Sequence, residues 1–197
     1  MLLNRLHNPP PSAAATIAVA VLLLASPLYA EERPQLVPSR DVDITYEVTR
    51  PQQHAIRQRV RWLASEGLER IDGSDKSVTI IDRNGSEVTL LMPRTRTYRK
   101  LTGVSRQPME PDQDAVLRRS GEATVAGQRC TEWSWIEEGE THVLCATADG
   151  VALRLVVDGK TRVEARSVSY GRQNPDLFEA PRGYSPALAP AGGGDNP

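Results

Sequence analysis

Residues that usually carry chemistry are scarce in this 197-residue chain, which has one phenylalanine, three tryptophans, three histidines and two cysteines. One of the histidines, His7, precedes the N-terminal apolar run. His54 and His142 have no second histidine four residues away and no cysteine at ligand spacing, which excludes the usual zinc arrangements. No Gly-x-Ser-x-Gly elbow, P-loop or Gly-x-Gly-x-x-Gly segment is present, so the common hydrolase and nucleotide-binding signatures are missing. Asp72, Asp75 and Asp82 do not follow the spacing of an EF-hand loop and read as surface turns. Charge of one sign is lacking too: 24 basic against 25 acidic residues give a net charge of −1, with no general attraction to nucleic acid or anionic membrane. No repeat of fixed period occurs. These absences lead to the expectation of a protein that is not an enzyme and uses no cofactor or metal.

Long apolar runs are missing as well, except at the N-terminus. Arg5 and His7 precede an uncharged stretch from Ser12 to Leu28, which Pro27 interrupts before Tyr29-Ala30 and the acidic pair Glu31-Glu32. This is the order of a secretory signal with cleavage after Ala30. The alternative is an uncleaved anchor, but the run is shorter than the about 20 residues a spanning helix needs and is rich in alanine. With no cysteine near the junction to carry a lipid, residues 1–30 read as a signal peptide. The expected product is a soluble periplasmic monomer with no membrane span, binding no nucleic acid. Residues 31–39, with Pro34 and Pro38, read as an extended leader.

From Asp41 the pattern has period two. Val42, Ile44, Tyr46 and Val48 share one side, and Asp43, Thr45 and Glu47 share the other. A second run sets Ile56, Gln58, Val60 and Trp62 against Arg57, Arg59 and Arg61, again as a strand would. Further short strands are expected at 68–71 and 78–81, then a hairpin turning at Asn84-Gly85, and a strand within 93–101. Only 112–120 reads as helical. A long strand, 121–136, is expected to pair with 141–147, and turns at Asp149-Gly150 and Asp158-Gly159 lead to strands at 151–157 and 162–170. Residues 40–184 thus read as a mainly β domain, an antiparallel curved sheet or unclosed barrel with one or two short helices. Residues 185–197, rich in proline, alanine and glycine, read as a disordered tail.

Both cysteines follow the export signal, and an even count in an oxidising compartment favours a disulfide between Cys130 and Cys145 over two buried thiols. A hairpin tip at Glu137-Glu138 puts the two directly opposite each other, Trp133 opposite His142 and Thr131 opposite Leu144. A tip centred on Gly139 shifts the register, sets Cys130 opposite Thr147 and would strain the bridge. Val42, Ile44, Tyr46, Val60, Trp62 and Trp133 are the candidate lining of an apolar ligand site, although aromatic strand residues commonly serve as core. Arg57, Arg59 and Arg61 form either a face for an anionic group or acidic partner, or an ordinary solvated sheet face.

Three segments taken in order carry a family resemblance. Gly121 to Trp133 resembles a Gly-x-x-x-Val-Ala-Gly-x-x-Cys-Thr core, Cys145 to Arg154 resembles the strand pair that follows it, and Asp176 to Tyr184 resembles a Phe-x-x-Pro-x-Gly-Tyr ending. The chain resembles an uncharacterised family of exported bacterial proteins related to the LolA-like periplasmic lipoprotein carriers. The resemblance implies an unclosed antiparallel barrel with helices covering its concave apolar side. It implies that a lipid or lipoprotein acyl chain is held there, or alternatively that the domain is an envelope sensor or adaptor docking a protein partner.

Overall fold

A computed structural model describes residues 33–51, 53–103 and 109–187; the expected signal peptide and residues 188–197 lie outside the described residues. Alternating sequence becomes alternating burial. Strand β1 (Val42–Val48) buries Val42, Ile44 and Tyr46 and leaves Asp43, Thr45 and Glu47 partly exposed. It pairs antiparallel with β2 (Ile56–Leu63), so Ile44 lies opposite Val60 and Val42 opposite Trp62. A meander continues through β3 (Leu68–Asp72), β4 (Val78–Asp82), β5 (Glu87–Met92) and β6 (Thr97–Thr102). A second one runs through β7 (Arg118–Val125), β8 (Gln128–Glu137), β9 (Glu140–Ala146), β10 (Ala152–Val157) and β11 (Lys160–Tyr170). Strand β11 returns to pair with β1, and a two-residue β12 (Ser185–Pro186) adds in parallel to β6.

The result is one twelve-stranded unclosed sheet in the order β12-β6-β5-β4-β3-β2-β1-β11-β10-β9-β8-β7. It curls: Cα atoms of β7 and β11 approach within 8 Å although three strands separate them in that order. The inner face carries the main core, including Val42, Ile44, Trp62, Trp133, Leu144 and Leu155. The outer face of β2–β6 carries a second core of Leu63, Val78, Ile80, Leu91 and Phe178. That core is closed by the C-terminal segment. A single 3-10 turn, Pro175–Phe178, buries Phe178, and Arg70 donates to the Leu177 carbonyl at 2.6 Å. Gly183, at φ +86, then reverses the chain into β12.

Four expectations are corrected. Residues 112–120 are not helical: Arg33 takes the carbonyls of Asp112, Gln113 and Ala115, and the chain enters β7 at Arg118. The stretch 121–136 is not one strand, because Ala126-Gly127, both at positive φ, forms the tip between β7 and β8. The β4–β5 connection is not a two-residue turn at Asn84-Gly85. It is a four-residue loop in which the Asp82 carboxylate accepts from the Asn84 and Gly85 amides, and only Ser86 has positive φ.

The β8–β9 register is the fourth. Trp133 lies opposite Leu144, Trp135 opposite His142 and Thr131 opposite Ala146, which is the register of the Gly139-centred tip. A two-residue tip of this kind needs positive φ at both positions. Glu138 and Gly139 supply φ +52 and +83, whereas Glu137-Glu138 would force two side-chain-bearing residues into the left-handed region. The disulfide forms nevertheless, between Cys130 and Cys145 with Cα atoms 5.4 Å apart.

Candidate functional site

A cavity of about 440 Å3 opens on the inner face. Ile44, Tyr46 and Val48 of β1, Val60 and Trp62 of β2, Ile71 of β3, and Leu155 and Val157 of β10 form its walls. Each is there because alternation sends it inward from a strand whose neighbours point outward. A larger concavity of about 740 Å3 lies between residues 112–118 and 134–141 and includes Asp112, Asp114, Glu137 and Glu138 in its lining. The smaller one is the better site for a ligand because its wall is mainly aliphatic and aromatic, with a few polar residues among them.

Among the described residues the cover is not helical, whereas the resemblance implies helices there. Leu36 and Pro38 of the leader and Met109 line the cavity instead. The leader is tied down at several points. Arg33 donates to the Asp112 carbonyl at 2.6 Å and to the Ala115 carbonyl at 3.1 Å. The Ser39 amide donates to the Asp149 carbonyl at 2.9 Å, and Arg40 meets the Asp149 carboxylate at 2.7 Å with its guanidinium stacked 3.6 Å from the Tyr170 ring centre. Gly150 makes room for this segment: a Cβ there would fall 2.3 Å from the Val37 carbonyl oxygen. Partial burial opposes the charge of Asp149, but hydrogen bonds from Thr147, Arg40 and Tyr170 hold its carboxyl below the usual range.

Of the six residues expected to line an apolar ligand site, Ile44, Tyr46, Val60 and Trp62 are in the lining of this cavity. Val42 and Trp133 are packed into the inner core at 0% and 5% exposure and do not reach the cavity. Tyr46 donates from its hydroxyl to the Ala152 carbonyl at 2.6 Å. Burial first, then the negative charge of Glu69, pushes its phenol far above the ordinary value, so it is a fixed donor.

Glu69 is the one acid in the wall. It is 3% exposed, and Arg83 meets it at 2.9 Å while lying 5.8 Å from the Trp62 ring centre and 3.9 Å from Glu110. The alternation Leu68-Glu69-Arg70-Ile71 already puts Glu69 on the inner side with Ile71, so this residue was within reach of sequence reasoning. The contributions of Leu36, Pro38 and Met109, from segments without periodicity, were not.

The arginine stripe lies on the outer face. Arg59 makes a two-pronged pair with Asp43, its Nε at 2.9 Å, and this pair holds Asp43 below the ordinary carboxylate range. Arg61 bonds Asp72 at 2.8 Å and approaches Asp43 at 3.5 Å. Arg57 is exposed and stands opposite Glu47 across the β1–β2 ladder. Two of the three are thus neutralised within the sheet. Among the described residues no cluster of three or more His, Cys, Asp or Glu could hold a metal ion, and no helix is long and apolar enough to cross a membrane.

No protein-family model matches the sequence, and no curated protein matches it. Solved structures do match in fold. An uncharacterized conserved protein from Thermus thermophilus aligns at a TM-score of 0.55 and 18% identity, over 76% of this chain and 90% of that one. MucB in complex with MucA(peri) aligns at 0.52 and 15% identity, over 75% of this chain and 56% of that one. The Pseudomonas aeruginosa MucA/MucB complex aligns at 0.51 and 15%, over 72% and 56%. The curled sheet is of the LolA-like type. At these identities the likeness concerns the fold alone, and the chain spans about half the length of the MucB chains it matches.

Proposed function

We propose that this chain is a non-enzymatic binding protein of the bacterial envelope that holds an apolar or lipidic ligand in the inner-face cavity. The observation that carries the reading is the cavity itself. Its size falls within the range of about 300–1,000 Å3 common for small-molecule sites, and its wall is mainly aliphatic and aromatic. Each methylene group buried there contributes roughly 0.8 kcal/mol before the cost of association, so a chain of ten carbons is enough for useful affinity. The N-terminal export pattern and the Cys130–Cys145 disulfide support an oxidising compartment. Among the described residues of the lining, Tyr46 is held neutral and Glu69 is tied to Arg83, so neither is free to act as an acid or base.

A second reading, docking of a protein partner, is favoured by one fold-level observation: MucB, a structural neighbour, is seen in complex with MucA. An uncharged solvatochromic probe, N-phenyl-1-naphthylamine, separates the two readings. The ligand reading expects a saturable fluorescence rise that Val60→Trp, which fills the cavity, abolishes. Absence of binding by a folded wild-type protein would leave the partner reading in possession.

A further inference from the structure

The two ends of the cavity differ in charge. At the end where β1 begins, the leader residues Leu36 and Pro38 cover it and the Glu69 carboxylate is paired with Arg83. At the end where β1 stops, Arg50, Arg162, Gln58 and His142 line it. The Thr49 amide donates to the Arg162 carbonyl at 2.7 Å, which holds the segment carrying Arg50 against the start of β11. Strand alternation would turn Arg162 outward, because Val163 points inward. A register shift opposite Leu155 and Val156 breaks the alternation at this point, and Arg162 joins the lining.

What sets these two arginines apart is that they line the cavity without a counter-charge; Arg172 and Arg182 also lack one among the described residues, but they are exposed and do not line it. Arg59, Arg61, Arg70, Arg83, Arg154 and Arg166 each pair with a carboxylate. Among the described residues, no carboxylate lies within ion-pair distance of Arg50 or Arg162. Two uncompensated guanidiniums at the rim of an apolar cavity favour a ligand with an anionic head. Resting on the reading of the cavity as a binding site, we propose that Arg50 and Arg162 receive the head of a single-chain anionic amphiphile, a carboxylate or a phosphate, whose hydrocarbon chain runs along β1 toward Trp62.

The test compares cis-parinaric acid with its methyl ester, which has the same fluorescent chain and no charge. The acid is expected to bind about tenfold more tightly at low ionic strength, with the gap narrowing in about 0.5 M salt. In the Arg50→Gln/Arg162→Gln double variant the acid falls to the affinity of the ester while the ester is unchanged, with the circular dichroism spectrum intact. Displacement by decanoate identifies a carboxylate head and displacement by lysophosphatidate a phosphate head; either supports the proposal. Displacement by inorganic phosphate alone overturns it, because a chain would then be unnecessary. Equal binding of acid and ester overturns the headgroup assignment and leaves the cavity reading standing. Failure of both probes to bind overturns both.

Discussion

Cys130 and Cys145 are bridged across a diagonal. Cys145 stands directly opposite Glu132, and Cys130 lies one residue beyond Thr131–Ala146, the last pair of the β8–β9 ladder. Cys130 shares the face of Glu132, and the twist of an antiparallel ribbon brings one of its two diagonals closer than the other. The Cα separation of 5.4 Å is well inside the range a disulfide accepts. The expectation that this register would strain the bridge was too strict, because it treated the ribbon as flat.

The protein should therefore contain no free thiol until it is reduced. Alkylation under denaturing conditions without reductant, read by mass, should modify neither cysteine. The paired Ser variant should lose about 3 kcal/mol in urea unfolding, the amount expected for closing a loop of this length. Two modified cysteines in the unreduced protein would contradict the structure.

The Glu69–Arg83 pair is buried enough that breaking it costs more than removing it. Glu69→Gln should destabilise the protein by about 3 kcal/mol, because the largely buried Arg83 guanidinium loses its nearest counter-charge. Replacing both, with Glu69→Leu and Arg83→Met, should recover much of that loss. Urea denaturation of the single and double variants measures it, and a double variant as unstable as the sum of the singles would be the wrong answer.

Acid should loosen the attachment of the leader and the outer-face pair together. Asp43 and Asp149 both titrate below the ordinary carboxylate value in the folded protein. Their contribution is therefore fully present above the unfolded value of about 4 and is lost as pH falls through the lower folded values. Thermal melts across the acid range should show a fall below about pH 4 that is shallower in Asp149→Asn. An unchanged slope in that variant would mean that Asp149 is not a contributor.

Gly150 tests the cover. It sits at φ +95 with the Val37 carbonyl where a Cβ would go, so Gly150→Ala should cost more than about 1 kcal/mol and make the leader easier to cut by protease. Gly171, whose added Cβ meets nothing, is the control and should be close to neutral on substitution by alanine.

Much of the fold was legible because it depends on alternation. The inward residues of β1 and β2, the strands at 68–72 and 78–82, and the Asp158-Gly159 tip follow from period two and turn chemistry. What escaped depends on long-range contacts. The helical reading of 112–120 fails because Arg33, some eighty residues earlier, captures its carbonyls. The register at Gly139 depends on which residues accept positive φ, a backbone question that hydrophobic pattern does not address. In the site, Ile44, Tyr46, Val60 and Trp62 follow from alternation, whereas Arg162 enters the lining through a register shift that no periodicity announces.

Whether the inner face holds an apolar ligand is decided by native mass spectrometry of the protein purified from the periplasm, followed by solvent extraction and lipid analysis. A reproducible adduct is expected, released by organic solvent and absent from Val60→Trp. A wild-type protein that is consistently empty, or an adduct that persists in the filled-cavity variant, would overturn the binding role.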